Sequence, residues 1–427
     1  MRPRLTCTRL PRRVGFVSTR FHGTDGVTLE ARKWAEELTA AGAECCWMGG
    51  LLDTPPERSR LVPLAFFNHP EVLESQAELF GQITRSRRTT ALINGIKDRL
   101  KDELYAFVDR FEIGLLIPQN TLAIPMHVAL GLAITEFIAE TGIPTIAHHH
   151  DFTWERERFT TTSASDYLMA AFPPSLFHIE HVVINSMAQK ELARRYGLSS
   201  TFIPNVLDFE TPPPGIDAYN ADLRREIGLS DDDILVLQPT RVVARKGIEH
   251  AIDLLRQLGD PRVKLVLSHP AGDEGNDYMQ LINERIADAG IEAVFIADRV
   301  GESRGITPDG RKIYTLFDVY PHADLVTYPS HYEGFGNAFL EAVYFGKPVF
   351  VNNYAVYSRD IAPLGFETIG MSQIVTRAAV EKTRLILSNE KIRADWAAKN
   401  YELGLKYFSH AVLRRKLEAR LASLFGE

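Results

Sequence analysis

Cysteine is scarce in this chain: three in 427 residues, two of them adjacent (Cys45, Cys46). No disulfide framework and no metal-ligand spacing can be built from them, so a reducing, cytoplasmic setting is expected. Long apolar runs are also missing; none reaches the roughly 18 residues of a membrane span. Positive charge is in deficit, with 48 Lys and Arg against 55 Asp and Glu and a net charge of −7. That excludes general nucleic-acid binding, which needs a basic footprint. The opening "MRPRLTCTRLPRRVGF" is basic but has no apolar h-region. It reads as a short disordered tail, residues 1–13, rather than a secretory signal. A dinucleotide fingerprint is absent too, because Gly23 and Gly26 in "STRFHGTDGVTLE" fail the G-x-G-x-x-G pattern.

What is present is a soluble globular composition, 45% hydrophobic and 24% charged, in a chain too long for one ordinary core. Short β-branched runs alternate with helical patterns. "VGFVST" (14–19), "IGLLIPQN" (113–120), "PTIAHHH" (144–150), "HVVINS" (181–186) and "TFIPN" (201–205) read as strands. "VTLEARKWAEELTAAG" (27–42) reads as an amphipathic helix with Val27, Leu29, Trp34 and Leu38 on one face. Three consecutive prolines then mark a linker at 211–220. The alternation restarts with "ILVLQPT" (234–240), "VKLVLSHP" (263–270), "AVFIA" (293–297), "DLVTYPS" (324–330) and "PVFVNN" (348–353). Two doubly wound parallel sheets follow, in domains spanning 14–210 and 221–405, with a terminal amphipathic helix within 406–427. Ligands of such sheets sit beyond the carboxyl ends of the strands, so function is sought there.

At one strand end, "QPTRVVARKGIEHAI" places Arg241, Arg245 and Lys246 between a strand and a helix start. Free N–H groups, the dipole and the cations together suit a diphosphate; a solvated basic loop is the alternative. At another, "YPSHYEGFGNAFLEAVYFGKP" holds Glu333 in a loop and Glu341 in a helix. Ordinary dipole pairing accounts for Glu333 well enough. Glu341, set among Phe339, Leu340, Ala342, Val343 and Phe345, needs a hydrogen-bonding partner, and sugar hydroxyls would serve.

The combination of R-x(4)-K, as Arg241 and Lys246, with E-x(7)-E, as Glu333 and Glu341, resembles the retaining glycosyltransferases of family 4. "HVVINSMAQKELARRYG…FIPNVLD" resembles the end of that family's first domain, with Asn205-Val206-Leu207-Asp208 where N-G-V-D is usual. The resemblance covers roughly residues 14–425. It implies a GT-B fold, two Rossmann-like domains facing across a cleft, with the terminal helix crossing back toward the first. It implies transfer of a hexose from a nucleoside-diphosphate sugar, of GDP-mannose or UDP-glucose type, with retained configuration. Arg241 and Lys246 would hold the diphosphate, Glu333 the donor sugar and Glu341 the ribose hydroxyls. Gly26, Gly334, Phe335, Gly336, Asn337 and Leu340 would line the donor, and His150 would reach its sugar from the first domain.

By the same resemblance no metal and no cofactor are expected. The D-x-D of the other glycosyltransferase fold is missing at strand ends, and "DDD" at 231–233 reads as a surface turn. His148 and His150 share a strand face and keep a metal alternative open. Arg20, His22, Asn120, Arg156 and Arg158 are acceptor candidates, each with solvated surface as its alternative. The acceptor implied is a small sugar, sugar acid or glycerate derivative. The competing readings are a GT-B sugar-nucleotide epimerase or phosphorylase, and a peripheral-membrane enzyme using a lipid acceptor. The last draws on the basic segment "TRSRRTTALINGIKDRLK" (84–101), which also fits a helix with a buried stripe and a solvated basic face.

Overall fold

The computed structural model describes residues 10–271 and 277–426. Residues 1–9 of the expected tail lie outside the described residues. Its last residue, Arg13, opens the first strand and binds Glu44 at 3.0 Å and Glu112 at 2.6 Å. The chain divides into two compact units, one of residues 1–204 with 411–427 and one of residues 205–410.

In the first unit, β1 (Arg13–Val17), β2 (Glu44–Gly49), β3 (Ser59–Leu61), β4 (Leu115–Pro118), β5 (Thr145–His149), β6 (Ile179–Val183) and β7 (Thr201–Phe202) form one sheet. Its order is β3-β2-β1-β4-β5-β6-β7, and every pair is parallel. The winding direction therefore reverses between β1 and β4, a topological switch point.

The helix Gly26–Ala40 after β1 is capped by Asp25, whose carboxylate accepts from the Val27 and Thr28 amides. Its buried face is Ala31, Trp34, Ala35 and Leu38, with Glu30 and Glu37 rather than Val27 and Leu29. Glu30 takes Lys33 at 2.5 Å and Glu37 takes Arg414 at 2.7 Å, which is how two carboxylates are tolerated there.

The basic segment near residue 90 becomes the helix Arg87–Phe111, burying Ile93, Ile96, Leu100, Leu104 and Phe107 at helical spacing. Arg85 meets Asp166, Arg88 meets Glu74, Lys97 meets Glu136, Arg99 meets Glu71, and Lys101 meets Glu136 and Glu140. Acids from elsewhere in the unit thus cancel much of the charge that suggested an anionic surface. No helix among the described residues is long and apolar enough to cross a membrane.

In the second unit, β8 (Ile234–Gln238), β9 (Val263–Leu267), β10 (Glu292–Phe295), β13 (Leu325–Tyr328), β14 (Val349–Asn352) and β15 (Ile369–Met371) form a sheet in the order β10-β9-β8-β13-β14-β15. All its pairs are parallel. A small antiparallel hairpin, β11 (Gly305–Ile306) with β12 (Lys312–Ile313), stands apart. Here the switch point falls between β8 and β13.

The expected linker 211–220 is not a free tether. Asp217 binds Arg304 at 2.8 Å, and the Tyr219 hydroxyl reaches the Gly305 and Ile313 carbonyls, so side-chain bonds tie it to the hairpin. The chain passes between units at 204/205 instead, and returns at 410/411 rather than 405/406. The terminal helix His410–Phe425 buries Val412, Leu413, Leu417 and Leu421 in the first unit.

Candidate active site

At the second unit's switch point, β8 runs into a short 3-10 turn, Ala244–Lys246, that delivers Arg245 and Lys246. Gly247 follows at φ +59°, and a Cβ there would stand 2.5 Å from the Pro329 carbonyl oxygen. Only glycine lets the β8 exit lie this close to the β13 exit. That approach brings Lys246 onto Glu333, and Arg245 to within 3.3 Å of the same carboxylate. Lys246 and Glu333 are both buried.

Burial pulls the Lys246 ammonium below its usual range despite the neighbouring carboxylate. For Glu333, burial pushes upward, but the Lys246 and Arg245 charges outweigh it and hold the carboxyl below the usual range. Arg241 is exposed on the same loop and close enough to act on Lys246. Two cations thus converge on one carboxylate with a third, Arg241, beside Lys246, and the surplus suits a dianionic ligand. His269, at the β9 exit, is held down to about 4 by burial and then by Lys246 and Arg241.

The Gly334–Gly336 turn is pinned by the Tyr354 hydroxyl, which donates to the Phe335 carbonyl at 2.7 Å. Gly336 sits at φ +139°, with room for no Cβ against that hydroxyl (2.4 Å). Phe335 and Leu340 are buried, and the Phe335 ring packs on Phe408 at 5.4 Å. Their side chains are core, so any contact they make with a ligand is through the backbone.

Asn337 opens the helix Asn337–Tyr344 and accepts from the Asn205 amide at 2.7 Å. Glu341, expected to need sugar hydroxyls, accepts from the buried Tyr320 hydroxyl at 2.8 Å. That bond and the nearby carboxylate, after burial, push the tyrosine well above its ordinary range.

The first unit's switch point carries a pocket of about 160 Å³ lined by the β1 exit (Ser18, Thr19, Arg20) and the β4 exit (Gln119, Asn120, Thr121), with Asp25, Phe67 and His127. Gln119 is fully buried and its Oε1 lies 3.0 Å from His148 Nδ1 and 3.4 Å from His150 Nε2. Its Nε2 and the buried Thr121 Oγ1 have no hydrogen-bond partner among the described residues. Both residues line the pocket, but the two unpaired atoms are themselves shielded from solvent, so the wall has to shift before a ligand can reach them.

Asn120 adopts φ +57°, a conformation Asn tolerates, and its Oδ1 accepts from the His150 and Asp151 amides. It thereby fixes the β5 exit. Arg20 lies 3.4 Å from Asp25 and over the Phe67 ring.

Three expected acceptor residues are not in the lining. His22 is exposed, as is Gly26 at the helix start. Arg156 is engaged by Asp151 at 3.0 Å, and Arg158 lies over the Phe159 ring. His150 is buried and held down to about 4 by desolvation, so it is a neutral imidazole at neutral pH. His148 stacks on Trp34 and shares Gln119 with His150, whereas His149 turns to His181 at 2.9 Å, as strand alternation requires.

Sequence reasoning did not single out His269, Gln119 or Thr121 as site residues. Each lies just beyond a strand, which is the signal that would have found them.

Two parallel Rossmann-like sheets, with a cationic switch point in the second, are the plan of the GT-B architecture. The model for "Glycosyl transferases group 1" matches residues 220–403. Mannosylglucosylglycerate synthase of Petrotoga mobilis is 34% identical over 382 residues, 84% of this chain and 86% of that protein. The Thermotoga maritima protein of the same name is 28% identical over 419 residues, 90% and 94% of the two chains. Among solved structures, sucrose-phosphate synthase of Thermosynechococcus elongatus shares the fold at TM-score 0.66 and 17% identity, covering 97% of this chain and 99% of that one. Anabaena HepE with UDP and glucose does so at 0.63 and 16%, over 97% and 100%. The chain belongs to the group 1 glycosyltransferases.

Proposed function

We propose that the protein is a retaining hexosyltransferase moving a hexose, of GDP-mannose or UDP-glucose origin, to a hydroxyl of a small glycerate-bearing sugar. The acceptor class rests on the names of its two full-length relatives. The observation that carries the reading is the pocket of about 160 Å³ at the β1/β4 switch point, where Ser18, Thr19, Asn120 and Arg20 stand among apolar side chains. Hydroxyls suit its serine, threonine and asparagine side chains, and a carboxylate suits Arg20.

In the second unit Arg241 and Lys246, joined by Arg245, neutralise the diphosphate as it departs. Glu333 is committed to Lys246 and Arg245, which suits positioning of the donor sugar better than attack as a nucleophile. The departing phosphate then takes the acceptor proton in a front-face substitution, and no metal is required. Glu341 receives ribose hydroxyls beside its bond from Tyr320.

The test is product formation from GDP-mannose and UDP-glucose against glucosylglycerate, glycerate, 3-phosphoglycerate and a lipid acceptor, with anomers assigned by NMR and with EDTA present. One glycerate-type product with the donor's configuration is expected. An inverted anomer removes retention, and loss of activity in EDTA removes metal independence. Product from the lipid alone, or an isomerised nucleotide-sugar without acceptor, removes the acceptor assignment.

A further inference from the structure

The close approach of the β8 and β13 exits assembles a second group of side chains on the far side of Gly247 from Lys246 in sequence. Glu249 and His250 open the helix Ile248–Leu258, and His331 lies on the β13 exit two residues before Glu333. One ligand atom from each lies within 4.8 Å of the others. His331 Nε2 is 3.2 Å from Glu249 Oε1, and the His250 and His331 rings meet edge to face at 5.2 Å. The His250 Nε2 atom is buried and has no hydrogen-bond partner among the described residues.

Outer partners hold His331 and Glu249 from behind. His331 Nδ1 lies 3.1 Å from Gln373 Oε1, and the Tyr278 hydroxyl donates to the second oxygen of Glu249. The same hydroxyl accepts from the Ile248 amide at 2.9 Å. Ligating histidines and carboxylates characteristically carry outer partners of this kind, which fix ring orientation and direct the free atom inward. Asp253 and Arg285 are the other charged groups that act on His250, with opposite sign.

We propose that Glu249, His250 and His331 form a binding site for a borderline divalent cation, Zn²⁺ or Co²⁺, that ties the β8 exit to the β13 exit. Two imidazoles and a carboxylate are a familiar three-ligand set for such ions, with water completing a tetrahedron. The bound ion joins the two loops that carry Lys246 and Glu333 and adds positive charge beside them, without touching the reacting groups.

The experiment titrates the metal-stripped full-length protein with CoCl₂ alone, reading the visible d–d band, and repeats it with ZnCl₂ as competitor and by thermal melting. The expected result is one Co²⁺ equivalent with a tetrahedral-intensity band, displaced by Zn²⁺, and a higher melting temperature with metal. His331→Gln and His250→Gln should each weaken binding by more than the roughly ten- to a hundredfold that loss of an outer partner costs. Tyr278→Phe should fall within that range. Both histidines are only part-buried, so both variants are expected to fold, as metal-free melting will report. Absence of any one-equivalent Co²⁺ site, or undiminished binding in the folded His250→Gln and His331→Gln proteins, overturns the proposal.

Discussion

The two switch points are built alike in topology and oppositely in chemistry. Between β8 and β13 the exits set Lys246 and Arg245 on the buried Glu333, charge answered by charge, with the exposed Arg241 on the same loop. Between β1 and β4 the exits present an amide, hydroxyls and one arginine, and the imidazoles behind them are neutral. A charged site draws its ligand by field strength and depends on its internal ion pair to stay ionised underground. The other selects mainly by hydrogen bonds, its one ion pair, Arg20 with Asp25, being part-exposed at the pocket wall. Under the proposed function, the same parallel-sheet scaffold offers one socket for a phosphorylated donor and another for a hydroxylated acceptor.

The largest effect that would break this contrast is at Lys246. Lys246→Met should lower turnover at least about a hundredfold through lost charge stabilisation. It should also cost about 3 kcal/mol of stability, because Glu333 is left buried with Arg245 alone. Adding Glu333→Gln should recover the denaturant midpoint and not the turnover. Near-normal kcat in the single variant would remove the charged site from catalysis.

Acid comes next. Desolvation holds His127, His150 and His181 down to about 4, and His148 and His149 well below their usual range. In the unfolded chain these rings take up protons near pH 6.5, so stability is intact above that value and lost as pH falls from about 6.5 toward 4. Each contributes a slope of about 1.4 kcal/mol per pH unit in that window, above the range where carboxylates titrate. Hydrogen exchange at pH 5 should therefore open residues 10–204 before 205–410. Simultaneous opening would show that the neutral histidines are not what sets the first unit apart.

Thr121→Val sharpens the contrast from the other side. Removing an orphaned hydroxyl with an isosteric methyl should leave stability unchanged or slightly higher, unlike removal of an ion-pair partner. Its acceptor KM should rise about fivefold to tenfold, the worth of one hydrogen bond, with donor KM unchanged. A stability loss above about 1 kcal/mol would mean the hydroxyl is satisfied internally.

The smallest effect is expected at Arg156 and Arg158. Their double alanine variant should shift acceptor KM less than Arg20→Ala does, since neither lines the pocket. The reverse order would move the acceptor out over the β5 exit.

Which of these features could be read from the residues follows from how local their causes are. "ILVLQPT" and "PTIAHHH" were visible as strands because β-branched and apolar runs are self-evident over five residues, and they appear as Ile234–Gln238 and Thr145–His149. β2 was not, since "ECCWMG" has no β-branched residue to mark it. β3 is a three-residue edge whose Leu61 is exposed, and it gives no periodicity.

The charged residues of the second site were all visible at their strand ends. That Lys246 and Glu333 grip each other was not, because they are 87 residues apart and only the sheet order joins them. Glu341 was recognised as needing a partner, but Tyr320, 21 residues earlier, lies on a turn that carries no motif. The pocket was hidden for a similar reason: an amide and a hydroxyl flanking Asn120 look like any polar turn until burial is known.

The terminal helix has a bearing on how the molecule is made. Ala411–Glu427 belongs to the first unit, where Arg414 meets Glu37 across 377 residues and Lys416 and Arg420 reach the β7 and β6 edge of the sheet. During synthesis the first unit emerges first but lacks this piece, with the Glu37 carboxylate placed on the buried face of its helix. The second unit, continuous from 205 to 410, emerges whole in the interval. At about 5–20 residues per second, the ribosome needs roughly 10–40 s to supply the missing segment. The half that leaves the ribosome first is thus completed only after the second unit has been made.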